Sequence, residues 1–255
     1  MQSDKQSGST SANATPAPAW AQSMRRFNDW CMFDLGPGPK ALKLATIINL
    51  QKGGCFLFFG ALMYGYAEQT PAATSTAAWI YLAMHGSYGL VWLLKDYAFP
   101  DGNWHRPCTY GSALFGMLGL AAYWTIGWLL ISGTSQPDYP LPEPAWFTVC
   151  ISLCVLGSAI MIAADAQKYV TLKLQRGLIT GGMFRYVRHP NYLGEMMIYA
   201  SFGLMAWHWL VLVVLGYYWL GMFAVNMAIK EASMSRYPQW AAYKRRSWWL
   251  LPYVY

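Results

Sequence analysis

Two stretches without a single charge decide what this chain can fold into: Trp146 to Ala164, and Met196 to Ala228 with one histidine. About 20 apolar residues cross a bilayer core of roughly 30 Å, and both stretches are long enough to do so. The composition agrees. The chain is 56% hydrophobic and 11% charged, against roughly 25% charged residues in a soluble domain. The expected fold is an all-α integral membrane protein of about six spans, near 43–66, 76–95, 110–132 and 145–165, with two more inside 192–229 broken at Trp207-His208-Trp209. Residues 1–40 read as a disordered tail and an interfacial segment, 41–164 as the first four spans, and 165–255 as a charged loop, two spans and a cytoplasmic tail.

Charge sorts by side. With a cytoplasmic N-terminus, the far-side loops hold Glu68, Asp138 and Glu143 and no Lys or Arg, so all 18 basic residues lie on or near the other side. That is the positive-inside rule, and it predicts both termini cytoplasmic, in the endoplasmic reticulum or a bacterial inner membrane. The net charge of +7 therefore reports membrane sidedness rather than nucleic-acid binding. The five cysteines form no Cys-x-x-Cys pair, which argues against a metal site; they read as packing residues. Residues 1–23 are polar and small, without the apolar core of a signal peptide. Arg25, Arg26, Phe27, Trp30 and Phe33 then suggest an amphipathic segment in the membrane interface.

Some spans carry polar groups, and an ionisable group in hydrocarbon normally faces the protein interior. Gln51 and Lys52 sit mid-way along the first span. His85 and Tyr88 share a face of the second, three residues apart. Between the fourth and fifth spans lies the densest polar chemistry of the chain: Asp165, Lys168, Lys173, Arg176, Arg185, Arg188, His189 and Glu195. This cationic segment suits an anionic cofactor, since phosphates take bidentate arginine or point-charge lysine partners. Past the last span, Lys230, Glu231, Arg236, Tyr237, Tyr243, Arg245 and Arg246 form an amphipathic tail that can fold back onto that segment or attach to anionic lipid.

The run Gly-Leu-Ile-Thr-Gly-Gly-Met-Phe-Arg-Tyr-Val-Arg-His-Pro-Asn-Tyr-Leu-Gly-Glu, ending at Glu195 and preceded by Asp165-Ala-Gln-Lys168, resembles the C-terminal half of the steroid 5-alpha-reductase superfamily, including its less characterised DUF1295-like branch. The likeness covers roughly residues 160–255 and includes the closing glutamate (Glu231), Tyr237, Tyr243 and aromatic Leu-Pro. Membrane methyltransferases acting on isoprenylcysteine or phospholipid share Arg-His-Pro-x-Tyr-x-Gly. Asn191, Glu195 and the Asp-x-Gln-Lys run tilt the reading to the reductases.

The resemblance implies an NADPH-dependent reductase of a C=C bond in a lipophilic substrate, with Asp165, Asn191, Tyr192 and Glu195 on cofactor-contacting positions. The steroid reductases take a glutamate and a tyrosine from the early spans as the acid. Here the first span offers Gln51 and Lys52 instead, and the second offers His85 and Tyr88. These four are the expected catalytic groups, placed together in one cavity under the nicotinamide. The alternatives are an S-adenosylmethionine-dependent methyltransferase using the Arg-His-Pro core and Glu231, and a non-catalytic membrane subunit.

Overall fold

The computed structural model describes residues 14–253; the first part of the expected disordered tail, residues 1–13, lies outside them. The chain is a helical bundle. Helix α1 (Ala19–Asp29) runs on into a π turn, Trp30–Asp34. A two-residue ribbon pairs β1 (Leu42–Lys43) with β2 (Pro107–Cys108), antiparallel. The first span is a bent pair, α2 (Leu44–Gly53) and α3 (Cys55–Tyr66), with 42° between them at the Gly53-Gly54 break. Helices α4 (Thr76–Ala98) and α5 (Tyr110–Ile131) follow. Ser75 and Thr109 cap them, their hydroxyls accepting from the Ala78 and Ser112 amides, which meets an N–H that the first turn leaves unpaired.

Helix α6 (Glu143–Leu174) has 32 residues, about 48 Å at 1.5 Å per residue. That exceeds the bilayer core by several turns. The charged segment therefore begins on a helix, not in a loop: Asp165, Lys168 and Lys173 ride on the protruding end of α6. Helix α7 (Pro190–Ala206) starts with proline at its first position and stops at Trp207, whose φ of 45° is left-handed. After α8 (Trp209–Tyr218) come a second π turn (Trp219–Ala224), α9 (Val225–Met234) and the short α10 (Trp240–Arg246).

Among the described residues, four helices, or five counting the bent pair, are long and apolar enough to cross a membrane. The remaining expected span is α7. With 17 residues it reaches about 25 Å, short of the bilayer core, and ten of its residues are buried against the bundle. It sits deepest against α6, where Gly157 and Gly194 face each other. A Cβ on Gly194 would lie 2.5 Å from the Gly157 carbonyl oxygen, and one on Gly157 would lie 2.6 Å from that of Gly194. Backbone meets backbone there, as small residues allow between membrane helices. The five cysteines are free and buried, as packing residues should be.

Candidate functional site

At the basic end of the bundle the protruding turns of α6, the loop after α4 and the end of α9 enclose a two-lobed cleft. The first lobe, about 450 Å³, is lined by Lys95, Asp101, Asp165, Lys168, Lys173, Arg176, Arg236 and Tyr237 among others. The second, about 240 Å³, adds Arg188, His189, Asn191 and Lys230, and shares Lys168, Arg236 and Tyr237 with the first. Seven cations thus face two carboxylates across the two lobes.

Both carboxylates are held by cations. Asp165 pairs with Lys95 at 3.1 Å. Asp101 lies in the loop after α4 and accepts from the Asn103 amide at 2.9 Å. Burial would push its carboxyl up, but Lys168, that amide, Lys230 and Lys95 outweigh burial and hold it below the usual carboxylate range. Gln167 shapes the loop above: its Nε2 donates to the Gly181 carbonyl at 2.9 Å, and its Oε1 accepts from the Met183 amide at 2.8 Å.

The tail folds back onto the motif. Backbone bonds run from Arg188 N–H to the Trp248 carbonyl at 2.9 Å, and from Trp248 N–H to the Tyr186 carbonyl at 2.7 Å. Arg188 donates to the Glu231 carboxylate and to the Ser247 carbonyl. The Tyr243 hydroxyl donates to the Phe184 carbonyl at 2.6 Å, and burial raises its pKa to about 12. Tyr243 and Glu231 therefore clamp the tail rather than line the cleft. Arg185 and Arg245 are exposed and line neither lobe. Tyr192 is buried, accepting from Lys230 at 3.0 Å. His189, just before α7, is 2% exposed, and its Nε2 lies 3.6 Å from Glu231 with no hydrogen-bond partner among the described residues. Burial first of all, then Lys230 and Arg188, keep its pKa below the ordinary imidazole value against the pull of Glu231.

Beneath the second lobe lies a smaller apolar cavity of about 90 Å³. Aromatic and aliphatic side chains of α2, α4, α5, α7, α8 and the two π turns line it, with Lys52 and Glu195 as its members that can carry charge and Tyr123, Tyr199, Tyr217 and Tyr218 as its tyrosines. Lys52 is 2% exposed. Its Nζ donates to the Tyr199 hydroxyl at 2.5 Å and to the Tyr88 hydroxyl at 3.3 Å, and the two hydroxyls are 3.1 Å apart. Gly89 brings α4 close enough for this. A Cβ there would lie 2.1 Å from the Lys52 carbonyl oxygen.

The donors in this cluster outnumber its acceptors. Lysine offers three N–H and no acceptor, and each tyrosine one O–H. The three contacts use three of these five protons. One ammonium proton and one hydroxyl proton have no acceptor in any hydrogen bond among the described residues. Lys52 and Tyr199 line the cavity, so an oxygen acceptor entering it would meet the ammonium proton, and the hydroxyl proton as well where Tyr88 donates to Tyr199.

The four expected catalytic groups do not share this cavity. Lys52 and Tyr88 touch. Gln51 instead donates to the Leu120 carbonyl at 3.2 Å. His85 sits a turn away in an aromatic box, its Nδ1 2.9 Å from the Tyr81 hydroxyl and its ring stacked on Phe202 at 4.2 Å. Packing separates them, because Phe202 stacks on His85 and also lies against Tyr88, between the histidine and the lysine's neighbours. The groups missed from the sequence are Tyr199, Tyr123 and Asp101, while Lys230 and Arg236 come from the tail expected to fold back and do line the cleft. Tyr199 did carry a signal: Asn191, Glu195 and Tyr199 recur every four residues and so share one helix face.

Residues 103–247, more than half of the chain, match the family described as a protein of unknown function (DUF1295). Over 73 residues, 26% of this chain and 28% of the relative, the chain is 40% identical to the protein named steroid 5-alpha-reductase DET2 of Solanum lycopersicum. Over 78 residues, 29% of this chain and 26% of the relative, it is 33% identical to an uncharacterized protein of Schizosaccharomyces pombe. Each match spans little more than a quarter of the relative's length. The family match over more than half of the chain, which takes in Asp165, Lys168, Asn191, Glu195 and Tyr199 but not Lys52 or Asp101, places the chain in the DUF1295 family, within the steroid 5-alpha-reductase superfamily.

Proposed function

We propose that the chain is a membrane-embedded NADPH-dependent reductase of a C=C bond conjugated to a carbonyl in a lipophilic substrate. The observation that carries this is one face of α7. Asn191 lines the basic cleft, Glu195 and Tyr199 line the apolar cavity, and the three lie one turn apart. Eight residues at 1.5 Å each give about 12 Å from first to last. A polar cofactor in the cleft and an apolar substrate in the cavity would thus meet along one rigid element.

The residues present fit the cofactor. Seven cations over two connected lobes suit a dinucleotide with several phosphates. In the second lobe the Asn191 side chain makes no hydrogen bond among the described residues, and His189 Nε2 has no partner there either. A primary amide can donate and accept, which is what a carboxamide requires of its partner. Lys168, Lys173, Arg176 and Arg236 would hold phosphates. When bound, NADPH supplies a hydride to the carbon far from the carbonyl. The chain's own part is to hold the carbonyl oxygen with the unspent protons of Lys52 and the tyrosine pair, to stabilise negative charge developing on it, and to keep water out with the aromatic wall. Set with the positive-inside rule, this reading has the basic end and both termini in the cytosol.

The test is cofactor-dependent thermal stabilisation of the purified protein. A ligand at 100 times its dissociation constant adds about 2.7 kcal/mol. NADPH is expected to raise the melting midpoint, and Asn191→Ala to weaken that rise by about 1–3 kcal/mol, the range for a buried partner left unsatisfied. A rise with S-adenosylmethionine and none with NADPH would replace this reading by the methyltransferase one. No rise with either would favour a non-catalytic membrane subunit.

A further inference from the structure

The two π-helical turns of the described residues, far apart in sequence, border the same cavity. Met32 reaches it from the first, Met222 and Phe223 from the second. Such turns interrupt the regular ladder and recur at functional sites. Here the second turn also forms one side of a seam. Phe115 and Gly119 of α5 face Tyr217 of α8 and Met222 across it, and all four line the cavity. Tyr217 is 54% exposed, and Phe115, Gly119 and Met222 are half-buried, so the same four residues border both the cavity and the outer face of the bundle. The Tyr218 hydroxyl, donating to the Gly119 carbonyl, bridges the seam.

The first π turn brings a second, independent feature to this place. On α1 and the first residue of the π turn that continues it, Trp20, Met24, Phe27 and Trp30 are 55%, 40%, 55% and 49% exposed. Their spacing puts them on one stripe. A helix so patterned lies in the membrane interface. It is fastened to the seam: Asn28 Nδ2 donates to the Gly221 carbonyl at 2.9 Å, and Arg25 to Asn226 Oδ1 at 2.8 Å.

Resting on the reductase reading, we propose that the cavity is loaded sideways from the bilayer, through the seam between α5 and the second π turn, by a lipid that carries an acceptor oxygen at one end. The acceptor end meets Lys52 and Tyr199, and the apolar body trails between Phe115, Tyr217 and Met222 toward the hydrocarbon. The α1 helix, seated in the interface and tied to Gly221 and Asn226, roofs the entrance.

The experiment places the full chain in phosphatidylcholine nanodiscs with a fatty acid bearing a mid-chain diazirine, and maps photo-adducts by mass spectrometry. Adducts are expected inside, on Tyr123 or Tyr199, and outside, on the exposed Leu114 and Leu118. Gly119→Leu fills the seam and should abolish the inner adducts while the outer ones stay. Gly119→Ala is the folding control. Its Cβ meets the Tyr218 hydroxyl at 3.7 Å, an ordinary contact, so it should label as the parent does. If Gly119→Leu fails to fold, Met222→Trp narrows the seam from the other side. Inner adducts that persist in the filled variant, or outer adducts alone in the parent, overturn the portal. Inner adducts in a protein that NADPH does not stabilise leave the portal standing and remove the reductase reading. NADPH stabilisation with outer adducts alone does the reverse.

Discussion

Lys52 is the residue whose surroundings decide the chemistry. A buried cation needs partners, and among the described residues Lys52 has no carboxylate within ion-pair distance, only two hydroxyls and the faces of Tyr88, Trp92, Tyr123 and Tyr199. Such a site favours a ligand that gathers negative charge on an oxygen. Tyr199 is then the group placed to give up a proton: Lys52 lies 2.5 Å from its oxygen and would stabilise the phenolate left behind. Tyr199→Phe is expected to lower turnover by roughly hundredfold or more, the lower end for a positioned acid, with stabilisation by NADPH intact. Full turnover in that variant would move the proton donor out of this cluster. The depth of Lys52 and the face shared by His85 and Tyr88 were legible in the sequence. That Lys52 pairs with Tyr88 and not with His85 was not, because helix rotation and aromatic packing set it, and neither leaves a periodic trace.

At the scale of elements, the α6–α7 contact explains why the motif reads as it does. Pro190 opens α7, and Gly194 lets its backbone touch that of α6 at Gly157. Glu195 and Tyr199 are then set against the cavity. Gly194→Ala puts a methyl 2.5 Å from a backbone oxygen and 2.7 Å from the Met161 nitrogen, atoms that cannot turn aside. Overpacking of this kind typically costs about 1–3 kcal/mol. The variant should melt at a lower temperature in detergent, and a shifted α7 should also weaken its response to NADPH. An unchanged melting midpoint would show that the two helices part without cost. The helices themselves were legible: the expected spans at 43–66, 76–95 and 110–132 fall within a few residues of α2–α3, α4 and α5. The end of α6 was not, since its charges read as a loop. In the structure they stay helical beyond the apolar stretch, and that extension builds the first lobe of the cleft. Asp101 was missed for a related reason. Its loop looks like a simple turn, and only the fold lays it across Lys168 and Lys230.

For the molecule as a whole, the cleft, the tail clamp and the α1 stripe all gather at one end of the bundle, and most cations of the described residues gather there with them. The opposite connections, 67–75, 132–142 and 207–208, contain no Lys or Arg. Positively charged loops stay on the cytoplasmic side, and on the proposed reading NADPH would enter the cleft from that side too, so charge and the proposed chemistry point to one orientation. Glu68 and Asp138 are exposed at the opposite end, and Arg245 is exposed on the tail. The five native cysteines are buried and should label weakly. In sealed vesicles, Glu68→Cys and Asp138→Cys are expected to react with an impermeant maleimide from one face and Arg245→Cys only from the other. If all three react from the same face, the bundle does not cross the membrane as proposed, and the seam between α5 and the second π turn would no longer open onto lipid.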